Sequence, residues 1–92
     1  MAIKYTKNFL DKLENLFAAS SYHLRYEKGN FKSGYCLLKD TKVVIINKYF
    51  PLEGKINALI DIIVELDFDP KEFKEKVNQD FLSELRQTTL KF

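Results

Sequence analysis

Apolar residues recur at spacings of three and four over residues 6–19, where Phe9, Leu13, Leu16 and Phe17 form a stripe that Leu10 widens. Lys7, Asp11, Lys12, Glu14 and Asn15 fill the opposite side, so the pattern predicts an amphipathic helix. The Thr6 hydroxyl suits its N-cap, and Ser20-Ser21 ends it. The period then changes to two. In YHLRYE (22–27), Tyr22, Leu24 and Tyr26 alternate with His23, Arg25 and Glu27, as in a half-buried strand. KGNFK reads as a turn, because Gly29 and Asn30 tolerate positive φ. SGYCLLK predicts a second strand, Asp40-Thr41 a tight turn, and KVVIIN a third strand. Four β-branched residues in a row, Val43 to Ile46, suggest that the last is covered on both faces.

Helical spacing returns over residues 51–66, opened by Pro51. Ile56, Leu59, Ile60 and Ile63 make a stripe that Ala58, Ile62, Val64 and Leu66 extend around most of the circumference. The polar positions Glu53, Asn57, Asp61 and Glu65 fall four apart on one narrow line, which predicts burial on two or three sides. Gly54 is a mild weakness in the first turn. Asp69 caps and Pro70 opens a third helix, predicted to run to about Gln87 with Phe73, Val77, Phe81 and Leu85 as its stripe and Leu82 beside it. The apolar Leu90 and Phe92 suggest that the tail docks.

The expected fold is a single α+β domain spanning residues 1–92: one N-terminal helix, a three-stranded antiparallel meander and two C-terminal helices. A two-residue turn at Asp40-Thr41 sets Leu38 opposite Val43, Leu37 opposite Val44, Cys36 opposite Ile45 and Tyr35 opposite Ile46. One face then carries Tyr22, Leu24, Tyr26, Tyr35, Leu37, Val44 and Ile46, and is the expected core. The other carries His23, Arg25, Glu27, Gly34, Cys36, Leu38, Val43, Ile45 and Asn47. Its apolar end calls for a cover. Its polar end (His23, Arg25, Glu27 and Asn47, with Cys36) is a candidate cleft.

Composition narrows the functional classes. An apolar fraction of 46% is that of a globular chain, and the 3 glycines and 2 prolines leave no low-complexity linker. A net charge of +2 does not by itself call for a nucleic acid or a membrane. Charges recur every few residues in MAIKYTKNFLDKLENLF, unlike a signal-peptide core, and no apolar run approaches the roughly 20 residues that span a bilayer. With a single cysteine, these features point to the cytoplasm.

Candidate chemistry is sparse. A Cys–His pair can generate a nucleophilic thiolate, and His23 and Cys36 would be neighbours if their strands were adjacent. No motif or oxyanion donor accompanies them. One His, one Cys and scattered carboxylates do not make a zinc ligand set. Lys28, Lys32, Lys39, Lys42 and Lys48 gather at strand ends among Tyr26, Phe31, Tyr35 and Tyr49, a pattern that can serve base stacking and phosphate contact.

The stretch GNFKSGYCLLKDTKVVIINKYFPLEGKINALIDIIVEL resembles, in its order of elements, the small zincin-like metallopeptidase domain found beside phage and toxin–antitoxin regulators. There a helix leads into a short sheet, an apolar strand closes on Asn, and a helix with HExxH follows. At the matching helix this chain reads Ile60-Asp61-Ile62-Ile63-Val64, with aliphatic residues at both histidine positions and Asp61 at the glutamate position. The resemblance therefore implies a peptidase-like scaffold without zinc ligation or water activation.

The expectation is a non-enzymatic protein-interaction module with no cofactor, associating with itself or with another protein. Leu38, Val43, Ile45, Ile62 and Val64 are the candidate interface, and Arg25, Glu27 and Asn47 set register at its polar edge. The alternative is a nucleic-acid-binding module using the lysine-rich strand ends.

Overall fold

The computed structural model describes residues 3–28 and 35–89. Helix α1 (Lys7–Ala19) begins where the pattern changes, and the Thr6 hydroxyl accepts the Phe9 amide as its cap. Three strands follow, β1 (His23–Glu27), β2 (Tyr35–Leu38) and β3 (Val43–Asn47). Helix α2 (Leu52–Leu66) starts after Pro51. A single 3-10 turn, Pro70–Glu72, precedes α3 (Lys76–Thr89). The class is α+β, with three helices and a three-stranded sheet, as the sequence predicts.

The sheet is not a meander. Its order is β1-β3-β2, with β3 in the centre. β3 pairs with β2 antiparallel in the expected register, Leu38↔Val43 through Tyr35↔Ile46. It pairs with β1 in parallel, from His23↔Val43 to Glu27↔Asn47. β1 and β2, the two strands of the expected first hairpin, therefore stand on either side of β3 and do not pair with each other. The predicted KGNFK turn itself lies outside the described residues. The reason is the apolarity of the third strand. VVIIN, with four β-branched residues in a row, gains most from two ladders, and the charged β1 and the four-residue β2 take the edges.

Side-chain parity does not depend on which strands are neighbours, so the two faces have the expected members. Val44 and Ile46 are fully buried beneath the helices, with Leu24, Tyr26, Tyr35 and Leu37 packed around them. α1 contributes Leu13, Leu16 and Phe17, and α2 contributes Ile56, Leu59, Ile62 and Ile63. Val43 and Ile45, on the other face of the same strand, are only partly buried. The expectation that β3 is covered on both faces is thus corrected: among the described residues the helices lie on one side only. Gly54 has a packing role, since a Cβ there would meet the Phe50 ring at 3.0 Å.

The third helix also departs from its predicted course. Asp69 does cap, accepting the Lys71 amide, but the turn it opens stops at Phe73, whose backbone is extended at φ −94°, ψ 132°. Phe73 drops into the core, where its ring meets Phe68 edge-on with centroids 5.8 Å apart. The helix restarts at Lys76, rotated relative to the expected stripe. Val77 is consequently 74% exposed, while Asn78, Phe81, Leu82 and Leu85 face inward. Arg86 closes the corner, bonding the Phe68 carbonyl and pairing with Asp67 at 3.0 Å. Asp67 ends α2 in a left-handed conformation, φ 50°, which Asp tolerates better than most residues. The predicted docking of Leu90 and Phe92 lies outside the described residues.

Phe73→Ala is expected to lower unfolding free energy by about 3–5 kcal/mol, and Val77→Ala to change it by less than about 0.5 kcal/mol. Urea denaturation checks the pair; equal losses would mean a continuous helix from Pro70.

Candidate functional site

The outer sheet face gathers most of the residues singled out by pattern. β3 runs through its middle with Val43 and Ile45. Leu38 and Cys36 flank these from β2, and His23 and Arg25 from β1. Leu38 is 41% exposed, and Cys36, Val43 and Ile45 are half-buried by their neighbours within the sheet. These four make one apolar patch, because register puts Leu38 beside Val43 and Cys36 beside Ile45. Arg25 and Glu27 bridge at 3.0 Å along the β1 side, both well exposed. Asn47 turns its side-chain oxygen to the Tyr49 amide at 3.0 Å and shapes the turn after β3.

Two of the expected interface residues are placed elsewhere. Ile62 is fully buried, at the centre of the helical layer, and offers nothing to a partner. The helix is apolar around most of its circumference, so sequence could not tell its core side from its flank. Val64 is 39% exposed but lies beside the β2 edge, on the helical side of the sheet. The expected polar cleft is also divided. His23 and Cys36 stand on opposite edges with β3 between them, about 10 Å apart from strand spacing alone. An imidazole there cannot take the thiol proton.

Two open clefts flank the sheet. One, about 510 Å³, is lined by Ile3, Tyr5, Tyr35, Asn57, Ile60, Asp61, Val64 and Glu65. The Tyr5 hydroxyl donates to Asn57 Oδ1 at 2.9 Å and straps the N-terminal segment to α2. Ile60, Asp61 and Val64 are the positions that carry HExxH in the zincin-like layout, and all three meet in this cleft. Ile and Val have no lone pair to give a metal. Among the described residues no three His, Cys, Asp or Glu side chains cluster closely enough to hold one. Burial, then the charges of Asp61 and Glu65, push the Tyr35 phenol above its ordinary range.

The other cleft, about 500 Å³, lies between α1 and the free edge of β1 and is lined by Glu14, Ala18, Ser20, Tyr22, His23, Leu24 and Tyr26. Within it the Tyr26 hydroxyl donates to the Glu14 carboxylate at 2.5 Å, joining α1 to β1, and Lys55 sits 5.2 Å from the Tyr26 ring centroid. Sequence spacing gave no sign of this pair, which depends on how α1 crosses β1. Burial pushes the Tyr26 phenol up, and the hydrogen bond to Glu14 and that carboxylate's charge push it further.

A phenol whose folded pKa is raised favours folding below its unfolded value near 10, and that contribution is lost as pH climbs past it. Tyr26→Phe is therefore expected to cost about 1 kcal/mol at neutral pH and to weaken the alkaline decline in stability above about pH 10. Thermal melts of both proteins between neutral and strongly alkaline pH check this; parallel declines would contradict it.

No helix among the described residues is long and apolar enough to cross a membrane. Comparison with protein-family models, with curated proteins and with solved structures finds no match.

Proposed function

We propose that this chain is a non-enzymatic protein-interaction module of the cytoplasm that associates with itself through the outer face of its sheet. The observation that carries the reading is the asymmetry of β3. Val44 and Ile46 are completely buried, whereas Val43 and Ile45 on the same strand remain partly open, with Leu38 and Cys36 beside them. A contiguous apolar patch with a charged margin has the composition of an interface centre with a polar rim. A small domain gains more than a large one from covering such a patch, since its own core is limited. The chemistry of the chain fits a binding role: the thiol and the imidazole are apart, and aliphatic side chains stand where the resembled peptidase layout would hold metal ligands.

The lysine-rich strand ends give weaker support to nucleic-acid binding. Tyr22, Tyr26 and Tyr35 pack against the helical core rather than presenting free stacking surfaces. Lys39 is paired with Glu65 at 3.5 Å, and Lys48 lies 5.2 Å from the Tyr49 ring centroid.

Light scattering after size exclusion is expected to show mass rising with protein concentration, with similar profiles at low and high salt. Val43→Glu with Ile45→Glu should weaken association at least about tenfold. A monomer at every concentration would contradict the reading. So would association only in the presence of RNA or DNA that falls steeply with salt.

A further inference from the structure

Among the described residues β1 is an edge strand whose backbone is only half used. The His23 amide donates to the Lys42 carbonyl at 2.9 Å, and the Glu27 carbonyl accepts the Lys48 amide at 3.0 Å. In a parallel ladder alternate residues turn both backbone groups to the same neighbour. His23, Arg25 and Glu27 therefore bond to β3, and Leu24 and Tyr26 aim their amides and carbonyls at the free edge. Beside β1 an open groove is lined by Glu14 and Ala18 of α1 and by Leu24 and Tyr26 of the strand.

Charges on an edge strand ordinarily keep other strands away. Here the two charges have opposite signs and lie two residues apart on the outer face, where Arg25 and Glu27 are 61% and 41% exposed. That spacing makes HLRYE complementary to a reversed copy of itself. Centred on Tyr26, an antiparallel pair sets each Arg25 opposite the other copy's Glu27, in non-hydrogen-bonded positions where side chains come closest. Centred on Arg25, the same pair would set like charges face to face; centred on Leu24, Arg25 would meet His23. The other edge, β2, reads YCLL and has no charge to select a register.

We propose that a second copy of this chain adds antiparallel to the free edge of β1, with Tyr26 opposite Tyr26 and two reciprocal Arg25–Glu27 pairs. Three strands from each copy form one continuous sheet, and the two apolar outer patches become parts of one surface. The pairing rests on the self-association reading and adds an edge contact to it: the joined patches form one larger apolar face, which is covered when a second such pair packs against it.

A charge-swap set tests it, with solution mass against concentration at low salt as the readout. Arg25→Glu and Glu27→Arg are each expected to weaken dimerisation about tenfold or more, and the double variant to return it to within about twofold of the unmodified chain. Both side chains are exposed, so circular dichroism should show all four proteins folded. Equal association by all four, or a double variant no better than the single ones, would overturn the pairing. If Val43→Glu with Ile45→Glu abolishes association while the swap set leaves it unchanged, self-association stands and the β1 pairing falls. An unmodified chain that is monomeric throughout would remove both.

Discussion

The structure depends on β3 being paired along both edges. Its five residues hold β1 in parallel and β2 antiparallel, and two of its side chains, Val44 and Ile46, form the floor on which the helices rest. Remove that strand and β1 and β2 have no common partner, since they do not pair with each other. The same strand sets the exposed surface, because alternation sends Val43 and Ile45 to the side without helices. Core and candidate interface are therefore two faces of one short apolar segment.

This explains which parts of the molecule were legible in the sequence. Face membership follows from parity alone, so the inner set of Leu24, Tyr26, Leu37, Val44 and Ile46 could be read without knowing the strand order. The β2–β3 register was legible because only four residues separate the strands. The strand order was not, because it is decided by competition for the central position between segments that are not consecutive. Asp69 and Pro70 mark a helical turn as a local signal, but that turn is a short 3-10 one and α3 starts only at Lys76. They could not reveal that Phe73 interrupts the expected helix to reach the Phe17–Phe68 cluster, a tertiary demand that overrides local propensity.

The candidate site was legible to the same limited degree. Leu38, Val43, Ile45 and Cys36 come together because strand parity and the hairpin register bring them together. His23 and Cys36 part because the inserted strand separates them. Ile62 is lost to the core because an almost uniformly apolar helix gives no sign of which side will face the sheet. The Tyr26–Glu14 contact, by contrast, arises from helix placement and has no signature in spacing. Together these residues form an apolar patch with the Arg25–Glu27 pair along its β1 side.

Cys36 is a native probe of the central claim, since it lies on the outer face beside Ile45. The rate at which its thiol reacts with a small alkylating reagent should be measured over a wide range of protein concentration under otherwise constant conditions. Covering of the outer face by a second copy predicts a rate that falls with concentration and levels off, in step with the rise in solution mass. A rate that stays constant while the mass rises would show that the association leaves this face open, and would contradict the account.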